Sequence, residues 1–205
     1  MKSASSPPTR TPSGRWNAAP GWRNCAAGRN IHLHLDLIAG LPFEGYESFR
    51  RSFNFVYSLG PDQLQLGFLK LLKGSGLRRD AAQYGILYRD EPPYEVLSTR
   101  ELTFGELLTL KEIEEQVELY HNSGRFRASL RYLLSLAEEP FGFFEELARL
   151  RREMGLHLAP SSLLGQYETL YRCGCGMEGC DPERLGYCMC FDLYAHEKAR
   201  KLPDW

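Results

Sequence analysis

Five of the chain's six cysteines, Cys173, Cys175, Cys180, Cys188 and Cys190, fall within eighteen residues, with Gly174, Gly176, Gly179 and Gly186 between them. Thiolates at that density are candidate ligands for zinc or an auxiliary iron–sulfur cluster, provided that the glycines let a short loop turn the sulfurs inward. The spacing, C-x-C-x4-C-x7-C-x-C, is not the C-x-x-C repeat of common zinc ribbons. Reduced structural or redox-active thiols therefore stand beside the metal as the other reading. A second group lies far upstream, in residues 31–44, IHLHLDLIAGLPFE. His32, His34, Asp36, Ile38 and Gly40 there alternate with Ile31, Leu33, Leu35, Leu37 and Ala39, the period of a pleated strand. His34 and Asp36 share one side of it and either face a ligand or hydrogen-bond each other. Gly40 admits a close approach or a positive φ, and Pro42 ends strand pairing because it has no N–H to donate.

These groups need elements to hold them. Phe49, Phe53, Val56 and Tyr57 recur at helical spacing, which predicts an amphipathic helix over residues 46–59 that ends at Gly60-Pro61. A second strand follows, with Leu64, Leu66 and Phe68 alternating against Gln63, Gln65 and Gly67, and runs on through Leu69, Leu71 and Leu72. A strand–helix–strand unit places its strands parallel, so Gly40-Leu41-Pro42 and Lys73-Gly74-Ser75-Gly76 both emerge at the carboxyl rim, where ligands bind. Residues 77–84 are expected to form a short helix and Asp90-Glu91-Pro92-Pro93 a connecting loop. The remainder reads as helical. Thr103-Phe104-Gly105-Glu106 has the form of a capping box, and apolar stripes start at Leu107, Phe126, Phe141 and Leu163. Those stripes are core, and the charge runs Glu112-Glu114-Glu115 and Arg149-Arg151-Arg152 are solvated faces. His121, His157 and His196 are scattered, and no Ser-His-Asp pattern or phosphate loop is present.

Asp36-Leu37-Ile38-Ala39-Gly40-Leu41-Pro42-Phe43-Glu44 resembles the D-x-I-x-G-L-P-G-E segment at the fifth strand of radical S-adenosylmethionine (SAM) enzymes. Phe43 stands where that segment has glycine. The run 66–72 is similar to the sixth strand of the same barrel. The resemblance covers residues 31–136. It implies that Asp36, Ile38, Gly40, Leu41, Pro42 and Glu44, with Phe68 and Leu69, line the adenine side of a SAM site. Ile38 would pack on the ring, and Gly40 would admit backbone to it. Pro92-Pro93-Tyr94-Glu95-Val96-Leu97 and Phe191-Asp192-Leu193 resemble the subset with an upstream cobalamin-binding domain and a helical C-terminal domain. The implied fold is α/β then α: the last two strands of a partial (β/α) barrel over residues 31–97, then a helical domain over 98–205 containing the Cys-rich segment 173–190. The C-x-x-x-C-x-x-C loop that holds the family's [4Fe-4S] cluster is missing, as is the Gly-Gly-Glu segment that holds the methionyl amino group. The chain thus looks like the last third of such an enzyme, inactive alone, with its partner the absent N-terminal part and its small-molecule substrate unnamed. A nonenzymatic helical module that binds metal or a partner through its cysteines is the alternative.

At 205 residues, 43% hydrophobic and 12% aromatic, the chain is long enough for one sizeable core. Its net charge of −1 hides an asymmetry, because residues 1–30 carry five basic residues and no acid. The other 175 residues therefore hold 20 basic against 26 acidic groups, which offers nucleic acid no basic face. No run reaches membrane-spanning length and no secretory core opens the chain, so a cytoplasmic protein is expected. Pro7, Pro8, Pro12 and Pro20 break up a Ser-, Arg- and Gly-rich start that reads as disordered, with Cys25 given no role. The absence there of anything like a fourth barrel strand leads to the expectation that the reading frame changes near Gly28 and that residues 1–30 are non-native.

Overall fold

The alternation that begins at residue 31 folds as a strand over His34–Ala39, and the second alternating run as another over Gln63–Phe68. The structure, a computed structural model, describes residues 9–10, 16–17, 32–155 and 162–196. A two-residue antiparallel pair, β1 (Thr9–Arg10) and β2 (Trp16–Asn17), comes first. Next come β3 (His34–Ala39), α1 (Tyr46–Ser58), β4 (Gln63–Phe68), α2 (Gly76–Arg79), β5 (Leu87–Tyr88) and β6 (Val96–Ser98). Helices follow: α3 (Phe104–Gln116), a π-helical turn (Val117–Asn122), α4 (Arg127–Leu136), α5 (Pro140–Glu153), α6 (Leu163–Cys175) and α7 (Pro182–His196). The chain is thus mixed α/β and mostly helical. The disorder assigned to residues 1–30 falls, outside that short pair, beyond the described residues, as do Ile31, Cys25 and His157.

β3 and β4 are parallel, with His34 beside Gln63 and Ala39 beside Phe68, so the expected crossover unit forms in register. Its apolar face carries Ala39, Leu64 and Leu66, all buried, and α1 contributes Phe49 and Phe53 to the same core. Phe53 meets Phe141 of α5 edge-on at 5.4 Å, which ties the crossover helix into the helical region. Two parallel strands fix neither strand number nor shear, so among the described residues the fold of this part is the crossover unit and nothing larger.

The helix predictions hold for α1, α3, α4, α5 and α6. The capping box at Thr103 is complete, with Glu106 N–H donating to Thr103 Oγ1 at 3.3 Å and Thr103 N–H to Glu106 at 2.7 Å. Three features differ from expectation. The helix expected over 77–84 is one turn, Gly76–Arg79, followed by turns that end at Gly85 with φ +63°. The loop at 90–93 is the tip of the β5–β6 hairpin, and that hairpin is tied to the sheet: Leu71 N–H donates to Tyr94 O and Val96 N–H to Leu69 O, each at 2.9 Å. Finally, the stripe running through Tyr120 changes from α to π geometry at Val117. Asn122, at the end of that wider turn, makes the two backbone bonds that a neighbouring strand would make. Its Oδ1 accepts from Leu64 N–H and its Nδ2 donates to Leu64 O, at 2.9 Å each, which satisfies the outer edge of β4 at Leu64.

Candidate functional site

β3 keeps one face for the core and leaves the other open. His34, Asp36 and Ile38 are exposed on that open face, beside Gln63 and Gln65 of β4. His34 Nε2 lies 3.1 Å from Asp36 Oδ1, so the two side chains engage each other. Ile38 is the apolar member of this polar row and is 47% exposed at the carboxyl end of the strand. The backbone is also half used. Leu33 O and Ala39 O accept bonds from the β4 side, so alternation turns the N–H and C=O of His34, Asp36 and Ile38 to the other edge. β3 has β4 as its sole strand partner among the described residues.

At the rim the expected site residues separate into open and engaged groups. Leu41 is exposed, and Pro42 and Glu44 are half-buried. Burial pushes the Glu44 carboxyl up, and a hydrogen bond from Ser52 Oγ at 3.4 Å partly counters it. Gly40 has φ +87°, and a Cβ built on it would meet Val96 Cγ1 at 2.7 Å. The glycine is therefore required by β6, whatever else approaches it. Leu69 N–H donates to Ala39 O and Leu69 O accepts from Val96 N–H, so its backbone is engaged within the chain. Phe68 is half-buried, with Lys111 Nζ 5.2 Å from its ring centroid.

The periodicity does not reveal that the helical region reaches the lower end of this face. His34, Gln63 and Gln65 share a cavity of about 270 Å³ with Glu114, Glu118 and Asn122. Burial pushes the Glu114 carboxyl up, and the carboxylates of Glu118 and Glu115 push it further. On sequence alone Glu114 belongs to the solvated run Glu112-Glu114-Glu115 and Glu118 carries no expectation; the placement of both depends on the Asn122–Leu64 bonds, which span 58 residues. His121 sits behind them, its Nδ1 3.1 Å from the Tyr57 hydroxyl, and burial pulls its basicity down.

The cysteines do not occupy a loop. Cys173 and Cys175 are on α6, Cys188 and Cys190 on α7, and Cys180 lies between the helices. This corrects the loop expected over 173–190. The glycine meant to open it, Gly174, is inside α6, where a Cβ would stand 2.4 Å from Leu185 Cδ2 and 2.8 Å from Leu133 Cδ2. It is small because helices cross there. Cys173 is buried and its thiol is pushed up to about 12, and burial also raises Cys180 and Cys188. A metal binding there would have to displace those protons. Among the described residues no three His, Cys, Asp or Glu side chains converge as metal ligands. We expect the anaerobically purified chain to carry no stoichiometric zinc or iron, with Cys175→Ser/Cys180→Ser melting like wild type. One equivalent of metal, lost in that variant, would refute this.

The family described as "Protein of unknown function (DUF4080)" matches residues 82–205. No curated protein matches the chain. No helix among the described residues is long and apolar enough to cross a membrane.

Proposed function

The chain belongs to the DUF4080 family, whose matched region holds the hairpin and helices but not β3–α1–β4, and on that premise we propose that its two parts do different work. The strand–helix–strand unit serves as the adenine-side wall of a SAM site in a radical SAM enzyme. The family region buttresses that wall through Val96 and Asn122. The substrate is a small molecule of unassigned class, and the setting is cytoplasmic.

The observation that carries this reading is Ile38. An aliphatic side chain left 47% exposed on a polar sheet face, two residues before the rim glycine, is in place to pack against a planar apolar surface. It is also the position of the hydrophobic residue in D-x-I-x-G. The open backbone edge of β3 supports the same reading, because it can pair with a further strand that would complete the site.

The residues present fit the adenine end of SAM and do not fit the iron–sulfur cluster. The described cysteines lie on or between α6 and α7, with three of their thiols raised by burial, and the rim carries none. A metal-binding module built on the cysteines would need thiolates that converge, and among the described residues no three His, Cys, Asp or Glu side chains do so.

Titrating the chain with SAM while recording backbone amide spectra tests the wall. Weak saturable binding, on the order of millimolar, is expected, with shifts concentrated at Ile38, Gly40, Leu41 and Phe68. Ile38→Gln, at an exposed position, should abolish those shifts without lowering the melting temperature. Shifts confined to the helices, or none at the rim, would overturn the reading.

A further inference from the structure

Leu41-Pro42-Phe43-Glu44 closes a four-residue turn, with Glu44 N–H donating to Leu41 O at 3.3 Å. Pro42 holds its second position and Phe43 its third, at φ +66°. Proline second and a positive φ third is the form of a type II turn, whose third position belongs to glycine or asparagine because a Cβ is strained there. The chain places one of its largest apolar side chains at that position. Burial does not compensate, since Phe43 is 73% exposed, the most exposed large hydrophobic residue among those described. Among the described residues its one ring contact is Tyr84, whose plane is nearly perpendicular at 88° with centroids 5.7 Å apart. The ring is thus braced by Tyr84 and otherwise open beside Leu41, itself 38% exposed.

Neither backbone preference nor core packing accounts for a phenylalanine here, its ring contact among the described residues is Tyr84 alone, and strained residues cluster at functional positions. We infer that the Phe43 ring is a stacking platform for a planar heteroaromatic ring, of the purine type, seated at the carboxyl rim of β3. Its identification with a purine rests on the adenine-wall reading; the platform itself rests on the turn geometry and exposure. Tyr84 holds the ring so that less side-chain freedom is lost when a ligand stacks. A base stacked on one aromatic side chain typically gains enough that truncating it weakens binding about tenfold or more.

The experiment titrates the full chain separately with adenosine and with indole, comparing wild type with Phe43→Tyr, Phe43→Leu, Phe43→Gly and Ile38→Gln. Adenosine binding within about twofold of wild type is expected for Phe43→Tyr, and about tenfold or weaker binding for Phe43→Leu and Phe43→Gly. Phe43→Gly should melt no lower than wild type, because glycine relieves the turn, which separates lost binding from lost folding. Wild-type affinity in the leucine and glycine variants overturns the platform. If Ile38→Gln then still loses adenosine, the wall stands without the platform. Phe43-dependent indole binding with no adenosine binding keeps the platform and removes the wall. No binding of either ring by wild type removes both, and Phe43-dependent self-association would replace the ligand by a second copy and overturn the inference.

Discussion

Asp192→Ala should lower the stability of the chain by about 3 kcal/mol, or about 6–12 °C in melting temperature for a domain of this size. Asp192 is on α7, 2% exposed, and its carboxylate serves a different helix. It accepts from Ala128 N–H at 2.9 Å, from Ser129 N–H at 2.8 Å and from the Ser129 hydroxyl at 2.7 Å. Those amides are the second and third of α4, whose own cap residue, Phe126, offers no side-chain acceptor. A carboxylate from α7 therefore does what a local serine or aspartate does elsewhere, and it also meets the positive end of the α4 dipole. Alanine leaves the two buried donors of Ser129 and the part-buried Ala128 N–H unmet, whereas Asp192→Asn keeps one acceptor oxygen and should cost about half as much. Hydrogen exchange should show protection lost first in residues 127–136. A melting temperature within about 2 °C of wild type in Asp192→Ala would refute the account.

Asp192 also shows which relationships are legible along the chain. Where a residue's partner is local, sequence and structure agree: the reciprocal bonds of Thr103 and Glu106 span three residues, and the α1 stripe of Phe49 and Phe53 is fixed by helical period. The in-register pairing of β3 with β4 follows from two alternating runs joined by one helix. Asp192 and Ser129 are 63 residues apart, and no periodicity links them. Glycine misleads for the same reason. Gly174 and Gly186 read as loop formers by local rule, yet both are buried within helices, and at Gly174 the close approach of Leu133 and Leu185 is what excludes a side chain. The cysteines inherit that error, since a loop would gather their sulfurs and two helices distribute them. At the candidate site, the alternation of His34, Asp36 and Ile38 was legible, whereas the cavity they share with Glu114 and Glu118 depends on tertiary packing.

Gly40→Ala should be among the most destabilising single changes in the strand unit, at about 2–4 kcal/mol, from two separable causes. The first is conformational, because φ +87° is a region that L side chains rarely adopt, worth about 1–2 kcal/mol. The second is steric, because the new Cβ would stand 2.7 Å from Val96 Cγ1. Val96 cannot easily withdraw: it is 2% exposed and its N–H is bonded to Leu69 O at 2.9 Å. A double-mutant cycle separates the causes. Val96→Ala alone should cost about 1–2 kcal/mol by leaving a cavity, but in that background Gly40→Ala should cost only the conformational part, a coupling of about 1 kcal/mol or more. Strict additivity would mean that the close approach carries no energy. The cycle also bears on function. If glycine at 40 serves Val96, then Gly40→Ala/Val96→Ala, once folded, keeps the wild-type SAM-induced shifts at Ile38 and Leu41. If glycine is there to admit the ligand, the double variant folds and those shifts vanish.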